Sequence, residues 1–367
     1  MSEELIIGLQ PGNARDGVAA VLVSFRDGSM DILHATKSSF PIAIKQTLGQ
    51  LPETDQFRYE ELSRLLDETL GRFFARVAQN LVREAGMEMR DIRAIGSPGL
   101  NVCHQPGGNR PVTVQLGKAQ LIAKNTGTTV VSDFCHADLE AGGEGAPLAP
   151  LLHRCLFHSD TENRAVLNVG GTASLTLLPR NGEIAGIDCG PGNILSDIWT
   201  RRHLRKDFDH NGLWASKGQA DPDLLTRLLA DPYFHECSPG CAQAEYFNID
   251  WLDAYLADSD LAPGCVQTTL VEFTAHCVAR GIKGFPSTDR LLVCGGGARN
   301  SYLVRRIAAA LPDVIVEPTT RHGADPDWVN GLVFAWLARE RLNGRVQDTR
   351  AITGAANPVM LGNIHPS

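Results

Sequence analysis

Apolar positions along the chain fall into short runs broken by glycine turns. Leu5-Ile6-Ile7-Gly8-Leu9 reads as a buried strand, Val18 to Phe25 as an alternating one and Met30 to Ala35 as a third. The segment from Gln10 to Gly17 is the turn between the first two, and Asp27-Gly28 is a hairpin signal. The chain therefore opens on an antiparallel three-stranded meander. From Glu60 to Ala85 the residues Leu62, Leu65, Leu66, Leu70, Phe73, Phe74, Val77 and Leu81 recur at helical spacing, and Gly86 closes the helix. A strand at Ile92–Ile95, a helix at Ala119–Lys124 and a strand at Thr128–Val131 follow. Strands separated by helices imply crossovers and a mostly parallel extension of the sheet.

The same outline then recurs. Ala165–Val169 is a strand, Gly170-Gly171-Thr172 a turn and Ala173–Leu178 a second strand. Asn181-Gly182 marks a hairpin into Ile184–Ile187. Helices are expected near Leu195–His203, Pro222–Leu229, Val266–Ile282, Tyr302–Leu311 and Trp328–Leu342. The strand Arg290–Cys294 runs into Gly295-Gly296-Gly297. A meander-plus-crossover unit used twice, without a visible sequence repeat, describes an α/β protein with the two-lobed, duplicated ribonuclease H-like architecture of actin and hexokinase. The junction is placed in the glycine-rich stretch Phe134–Gly145, giving lobes 1–135 and 136–367, with the C-terminal tail free to return to the first lobe. Each lobe is expected to carry a five-stranded mixed sheet, with a cleft between Gly12 and Gly171.

Composition narrows the function classes. A chain of 367 residues suggests about two domains. With 43% hydrophobic and 21% charged residues it can bury a large core. A net charge of −8 and the lack of a long basic run argue against nucleic acid as a partner. Ser2-Glu3-Glu4 is acidic where a secretory signal is basic, and no apolar stretch is long enough to span a bilayer. The nine cysteines are odd in number and scattered, which with the missing signal favours a reducing cytoplasm. His235, Cys237 and Cys241 in a loop, and His153, Cys155 and His158 on a helix, lack the second ligand pair of a zinc site.

Three strand-adjacent glycine turns, Gly8–Gly17, Asn168–Thr172 and Gly295–Gly297, can aim backbone N–H groups at phosphate. Neither a Gly-Lys-Ser/Thr phosphate loop nor a Rossmann fingerprint is present. A single glycine turn is usually just a hairpin, but three at the same point of a twice-used unit point to phosphate. Asp188 stands at a strand end before Gly190-Pro191-Gly192-Asn193. It reads either as a general base or as a cap of the helix that follows. Asp16 reads either as a magnesium-side carboxylate acting through water or as part of an ordinary Asp-Gly turn.

Gly186-Ile187-Asp188-Cys189-Gly190-Pro191-Gly192-Asn193 resembles the Gly-x-Asp-Thr-Gly-Pro-Gly-Asn signature of the anhydro-N-acetylmuramic acid kinases. Leu167–Leu175, Gly142–Leu148, Glu245–Asn248, Val293–Asn300, Asp325–Trp328, Phe334–Ala338 and Thr353–Ala355 match in the same register. The resemblance implies ATP, magnesium and a small amino sugar released in cell-wall turnover. It also implies opening of the 1,6-anhydro ring with phosphorylation of the freed O6, and a homodimer. It makes Asp188 the catalytic base. It assigns Gly12, Asn13, Asp16, Gly17, Gly170, Gly171 and Gly295–Gly297 to the nucleotide, and Asn101, Asp133, Asn330, Gly192 and Asn193 to the sugar.

Several positions depart from the family pattern. Gln10-Pro11-Gly12-Asn13-Ala14-Arg15 replaces Met-Ser-Gly-Thr-Ser-Leu, and Ser97-Pro98-Gly99-Leu100-Asn101 replaces His-x-Gly-Gln-Thr. Lys118 and Asn330 stand where the family has carboxylates, and Cys135 where it has arginine. The departures gather at sugar and γ-phosphate motifs while scaffold signatures persist. A retargeted or inactive paralogue is therefore the competing expectation, and a hydrolase using Asp188 on water a third.

Overall fold

The computed structural model describes residues 3–12, 17–51, 56–105, 112–236, 246–257, 259–285 and 287–367. The opening meander is present as β1 (Glu4–Pro11), β2 (Gly17–Arg26) and β3 (Ser29–Ser39). Asp27 and Gly28 both take left-handed conformations, φ 49° and 86°, as a tight two-residue hairpin requires. Next come β4 (Ala94–Gly96), a separate hairpin of β5 (Leu100–Gln105) and β6 (Val112–Leu116), and β7 (Val130–Ser132). The second sheet is built from β8 (Arg164–Val169), β9 (Thr172–Leu178), β10 (Ala185–Pro191), β11 (Arg290–Cys294) and β12 (Ile315–Pro318). A short β13 (Asn363–His365) ends the chain.

The strand orders are β13-β7-β4-β1-β2-β3 and β10-β9-β8-β11-β12. In each, a central strand (β1 or β8) pairs antiparallel with the next strand of its meander and parallel with a later crossover strand (β4 or β11). The duplicated ribonuclease H-like order is thus read directly from the pairing. The first sheet has six strands rather than the expected five, because β13 pairs antiparallel with β7 at its edge.

The chain divides into two compact units, Met1–Leu152 with Asn330–Ser367, and His153–Val329. The boundary expected at 135/136 therefore falls later, and the last helix and tail belong with the first unit. Asp138 shows why residues after 135 stay there. Its fully buried carboxylate accepts from the Thr349 and Thr353 hydroxyls and from the Gly145 amide. This ties the 136–145 segment to the C-terminal tail.

Helix Gln56–Glu84 covers one face of the first sheet, burying Leu70, Phe74, Val77 and Leu81 with Ile7, Leu9, Ala20 and Leu22. Helix Val329–Leu342 presses closely on the sheet at two glycines. A Cβ at Gly8 would strike the Gly331 carbonyl, and one at Gly96 the Phe334 carbonyl. In the second unit Ala165, Leu167, Leu175, Leu291 and Val293 pack with helix Pro263–Lys283. A separate aromatic cluster around Phe247 and Phe273 buttresses the far side of that helix.

His153 turns into this core, where its Nδ1 meets the Thr176 hydroxyl at 2.8 Å. Cys155, on the same helix, and His158, just past its end at Phe157, are exposed. The three do not converge. Cys237 and Cys241 lie outside the described residues, as does the side chain of His235.

Candidate active site

Three segments meet at the end of the second sheet: the β8–β9 turn, the end of β10 and the turn after β11. The Gly170 amide donates to the Thr172 carbonyl at 2.9 Å and closes the first turn. The next segment is braced against it. The Gly192 and Ile194 amides donate to Gly171 O, at 2.8 and 3.2 Å, and the Asn193 amide to Gly170 O at 2.8 Å. The Thr274 hydroxyl holds the Pro191 and Gly192 carbonyls from behind. A Cβ at Gly192 would lie 2.6 Å from Gly170 O, so only glycine allows the two turns to stack. Gly295, at φ 78°, lies against Asn168 and Val169, with Val169 O 2.7 Å from where its Cβ would be. Gly297 presses on the Val169 side chain. The Gly295 amide donates to Pro326 O, and Arg299 pairs with Asp327, fixing the Asp325–Trp328 segment beside this turn.

Gly170, Gly171 and Gly296 behave differently. None has a left-handed φ. A Cβ would meet nothing closer than 3.8 Å at Gly170 and 4.0 Å at Gly171, and nothing within 4 Å at Gly296. The fold places no demand for glycine at these three positions. Their bare backbone faces open space, which is the form of a cradle for a ligand that must approach the chain closely.

Asp188 sits half-buried in β10, opposite Ser174 and just before a bulge that shifts the register at Gly190. The following helix, Ile194–Leu204, has its N-cap at Asn193, so Asp188 is a strand residue and not the cap. Bulges re-aim neighbouring side chains and are common beside active sites. Burial raises the Cys189 thiol well above its ordinary range, with Cys277 and Asp188 adding to the effect, so Cys189 stays neutral.

The first unit contains a cavity of about 380 Å³. Ser97, Pro98 and Gly99 after β4, Gly117 and Lys118 after β6, and Asp133 after β7 all line it. Asp133 takes a left-handed φ of 55° and accepts from Asn363 Nδ2 at 2.9 Å. Ser132 Oγ and His365 Nε2 are hydrogen-bonded at 2.9 Å, so β13 supplies part of the wall. Burial lowers the His365 imidazole below its ordinary value, with Asp133 opposing, which favours the neutral ring near pH 7. Burial, then the Asp133 charge, pushes the Cys135 thiol up to about 12. Cys135 is therefore neutral where the family pattern has a cation.

The model of the family described as anhydro-N-acetylmuramic acid kinase matches residues 4–367. This chain belongs to that family. It is 41% identical to the anhydro-N-acetylmuramic acid kinase of Xanthomonas axonopodis pv. citri (strain 306), over 99% of this chain and 98% of that one. Identity to the enzyme of the same name from Vibrio cholerae serotype O1 (strain ATCC 39315 / El Tor Inaba N16961) is 38%, again over 99% and 98%. Among solved structures, the activator of the 2-hydroxyisocaproyl-CoA dehydratase from Clostridium difficile with bound ADPNP has a TM-score of 0.48 at 15% identity, covering 93% of this chain and 96% of that one. No described helix is long and apolar enough to cross a membrane.

Within the anhydro-N-acetylmuramic acid kinase family pattern, the residues singled out from the sequence now separate by what they touch. Gly170, Gly171 and Gly296 face open space, whereas Gly295 and Gly297 are required by packing. The amides of Gly192 and Asn193 are engaged by the neighbouring turn, so their part is bracing. Gly17 is also structural, since a Cβ there would strike the Ser38 backbone. Gly12 closes its turn with an amide bond to Gly17 O at 3.0 Å. Asn13 and Asp16 lie outside the described residues. Asn101 is exposed on β5, outside the cavity lining. Asn330 is half-buried in the first turn of the last long helix. Sequence reading missed Asp67, Asn363 and His365 as cavity residues, and β13 carries no pattern that could have announced the last two.

Proposed function

We propose that this chain phosphorylates 1,6-anhydro-N-acetylmuramic acid, opening the anhydro ring to give N-acetylmuramic acid 6-phosphate. The observation that carries the reading is the trio Gly170, Gly171 and Gly296. These glycines have no structural cause; Gly170 and Gly171 are stacked on the segment that ends β10, the strand bearing Asp188, and Gly296 follows β11, in a chain matching the kinase family over residues 4–367. The bare backbone fits a polyphosphate. When bound, ATP supplies the phosphoryl group and magnesium offsets its charge. Asp16 is the carboxylate proposed on the magnesium water shell.

In this reading the Asp188 carboxylate takes a proton from a water as that water adds to the anomeric carbon. The bond from that carbon to O6 breaks, and the freed O6 is the phosphoryl acceptor. Asp133 and Asn330 are assigned to sugar binding. The test is ADP release in the presence and absence of the anhydro sugar. Sugar-dependent release is expected, and Asp188→Asn should lower turnover by the ~10²–10⁴-fold typical of general-base loss. Sugar affinity should change far less, since the amide keeps the shape.

A second reading has its own support. Two departures from the family motifs, Ser97 and Lys118, line one cavity, and a third, Cys135, accepts from the cavity residue Gln115. A retargeted ligand would explain that convergence. Tight sugar binding without ADP release, or ADP release driven by a different sugar, would favour it.

A further inference from the structure

Lys118 stands where helix-start chemistry argues against a lysine. It is the N-cap residue of helix Ala119–Thr126 and makes no side-chain capping bond. An ammonium has no acceptor to offer the first-turn N–H groups. It also sits at the positive end of the helix dipole, where a cation is unfavourable. Its ion pair with Glu68, at 3.8 Å, joins side chains that are 41% and 44% exposed, and pairs of that kind contribute little.

A second oddity lies across the same cavity. Ser97 is only 1% exposed, and its hydroxyl has no hydrogen-bond partner among the described residues. A buried, unsatisfied hydroxyl is costly. Ser97, Lys118 and the first-turn residues Ala119 and Gln120 all line the cavity. An anionic group seated there would pair the ammonium, accept from the Ser97 hydroxyl and face the first-turn N–H groups. One ligand group would relieve all three costs.

We infer that Lys118 is a specificity residue of this chain, which with Ser97 recognises a carboxylate on an otherwise hydroxylated ligand. The rest of the wall fixes the ligand's character. Asp67 accepts from the Gly117 amide at 2.8 Å and Asp133 from Asn363, and both carboxylates keep acceptor capacity for sugar hydroxyls. Together with Glu68 they disfavour a polyanion. His136, exposed and paired with Glu140, and His365 complete the titratable lining. A neutral polyol or a bare phosphate ester fits this wall less well than a sugar acid with one charge. The inference rests on the reading of the ligand as an anhydro amino sugar.

The test compares an acid with its uncharged isostere. Calorimetry on the full chain would use 1,6-anhydro-N-acetylmuramic acid and its carboxamide. The wild type should prefer the acid by about tenfold, in the range of one charge-assisted contact. Lys118→Gln should bring that ratio close to one, Lys118→Arg should keep most of it, and Ser97→Ala should lower it. Equal affinity for acid and amide in the wild type, or a ratio unchanged in Lys118→Gln, overturns the inference while leaving the sugar reading intact. If neither compound binds, the sugar reading falls and a simpler pair decides. Sodium D-lactate should then raise the wild-type melting temperature more than lactamide does, and the difference should vanish in Lys118→Gln. Failure of that difference overturns the anion site itself.

Discussion

An alanine at Gly192 would place its Cβ 2.6 Å from the Gly170 carbonyl, while an alanine at Gly296 would meet nothing. The two substitutions should therefore part company. Gly192→Ala should destabilise by about 1–3 kcal/mol, as overpacking does, seen as a lower urea midpoint. Gly296→Ala should leave stability unchanged or raise it by up to about 1 kcal/mol, through the less flexible unfolded chain. Its ATP affinity should nevertheless fall, measured by calorimetry. A Gly296→Ala protein that binds ATP like the wild type would remove the argument for a backbone cradle.

His153 gives a residue-scale prediction about acid. Burial lowers its imidazole from 6.5 to about 3, so the folded protein holds the ring neutral while the unfolded chain takes a proton below pH 6.5. Its contribution is therefore complete above pH 6.5 and is lost as pH falls toward 3. Between pH 6.5 and 5 the loss from this group is about 2 kcal/mol. Urea titrations should show a smaller drop over that interval for His153→Gln, which has no such proton to take up.

At the scale of elements, β13 is the one to remove. It pairs with β7, and its Asn363 and His365 hold Asp133 and Ser132 at the cavity wall. A chain ending after Leu361 should lose sugar affinity at least tenfold, about 1.4 kcal/mol, while ATP affinity changes little. Equal loss of both would mean general unfolding instead. The elements readable in the sequence were those with strong periodicity. The helix expected from Glu60 to Ala85 is present as Gln56–Glu84, and Asp27-Gly28 closes its hairpin. The missed elements lacked that signal. β13 is three residues long, and helix Ile42–Gln50 buries only Ile44 and Leu48. The β5–β6 hairpin has a bulge between Asn101 and Cys103 that interrupts its alternation. At the site, motif resemblance pointed to loops that pack together at one end of the second sheet. It could not distinguish Gly296 from Gly295 and Gly297, because packing demand is not written in a triplet of identical letters.

At the scale of the whole molecule, the two units share one five-strand order, to which the first adds β13, but differ in how well they keep the family's motifs. The second unit's turns are intact, whereas the first turn has Pro11, which has no N–H to offer. ATP affinity is therefore expected to be measurable but loose, sub-millimolar, about 4–5 kcal/mol. No calorimetric heat with magnesium, with or without sugar, would sink the kinase reading. Asn330→Glu restores the family's carboxylate, and an acid in the first turn of a helix is also locally favourable by about 0.3–1 kcal/mol. Activity on the anhydro sugar should rise if Asn330 is the weakening change. The division of the chain has a further consequence, for synthesis on the ribosome. The second unit is continuous from His153 to Val329, but the first needs Asn330–Ser367 to cover Gly8 and Gly96 and to complete its sheet edge. During translation the unit that starts first must finish last, waiting as a partly covered sheet while the inserted unit emerges and folds. Early termination anywhere in the last long helix would therefore damage the beginning of the protein rather than its middle.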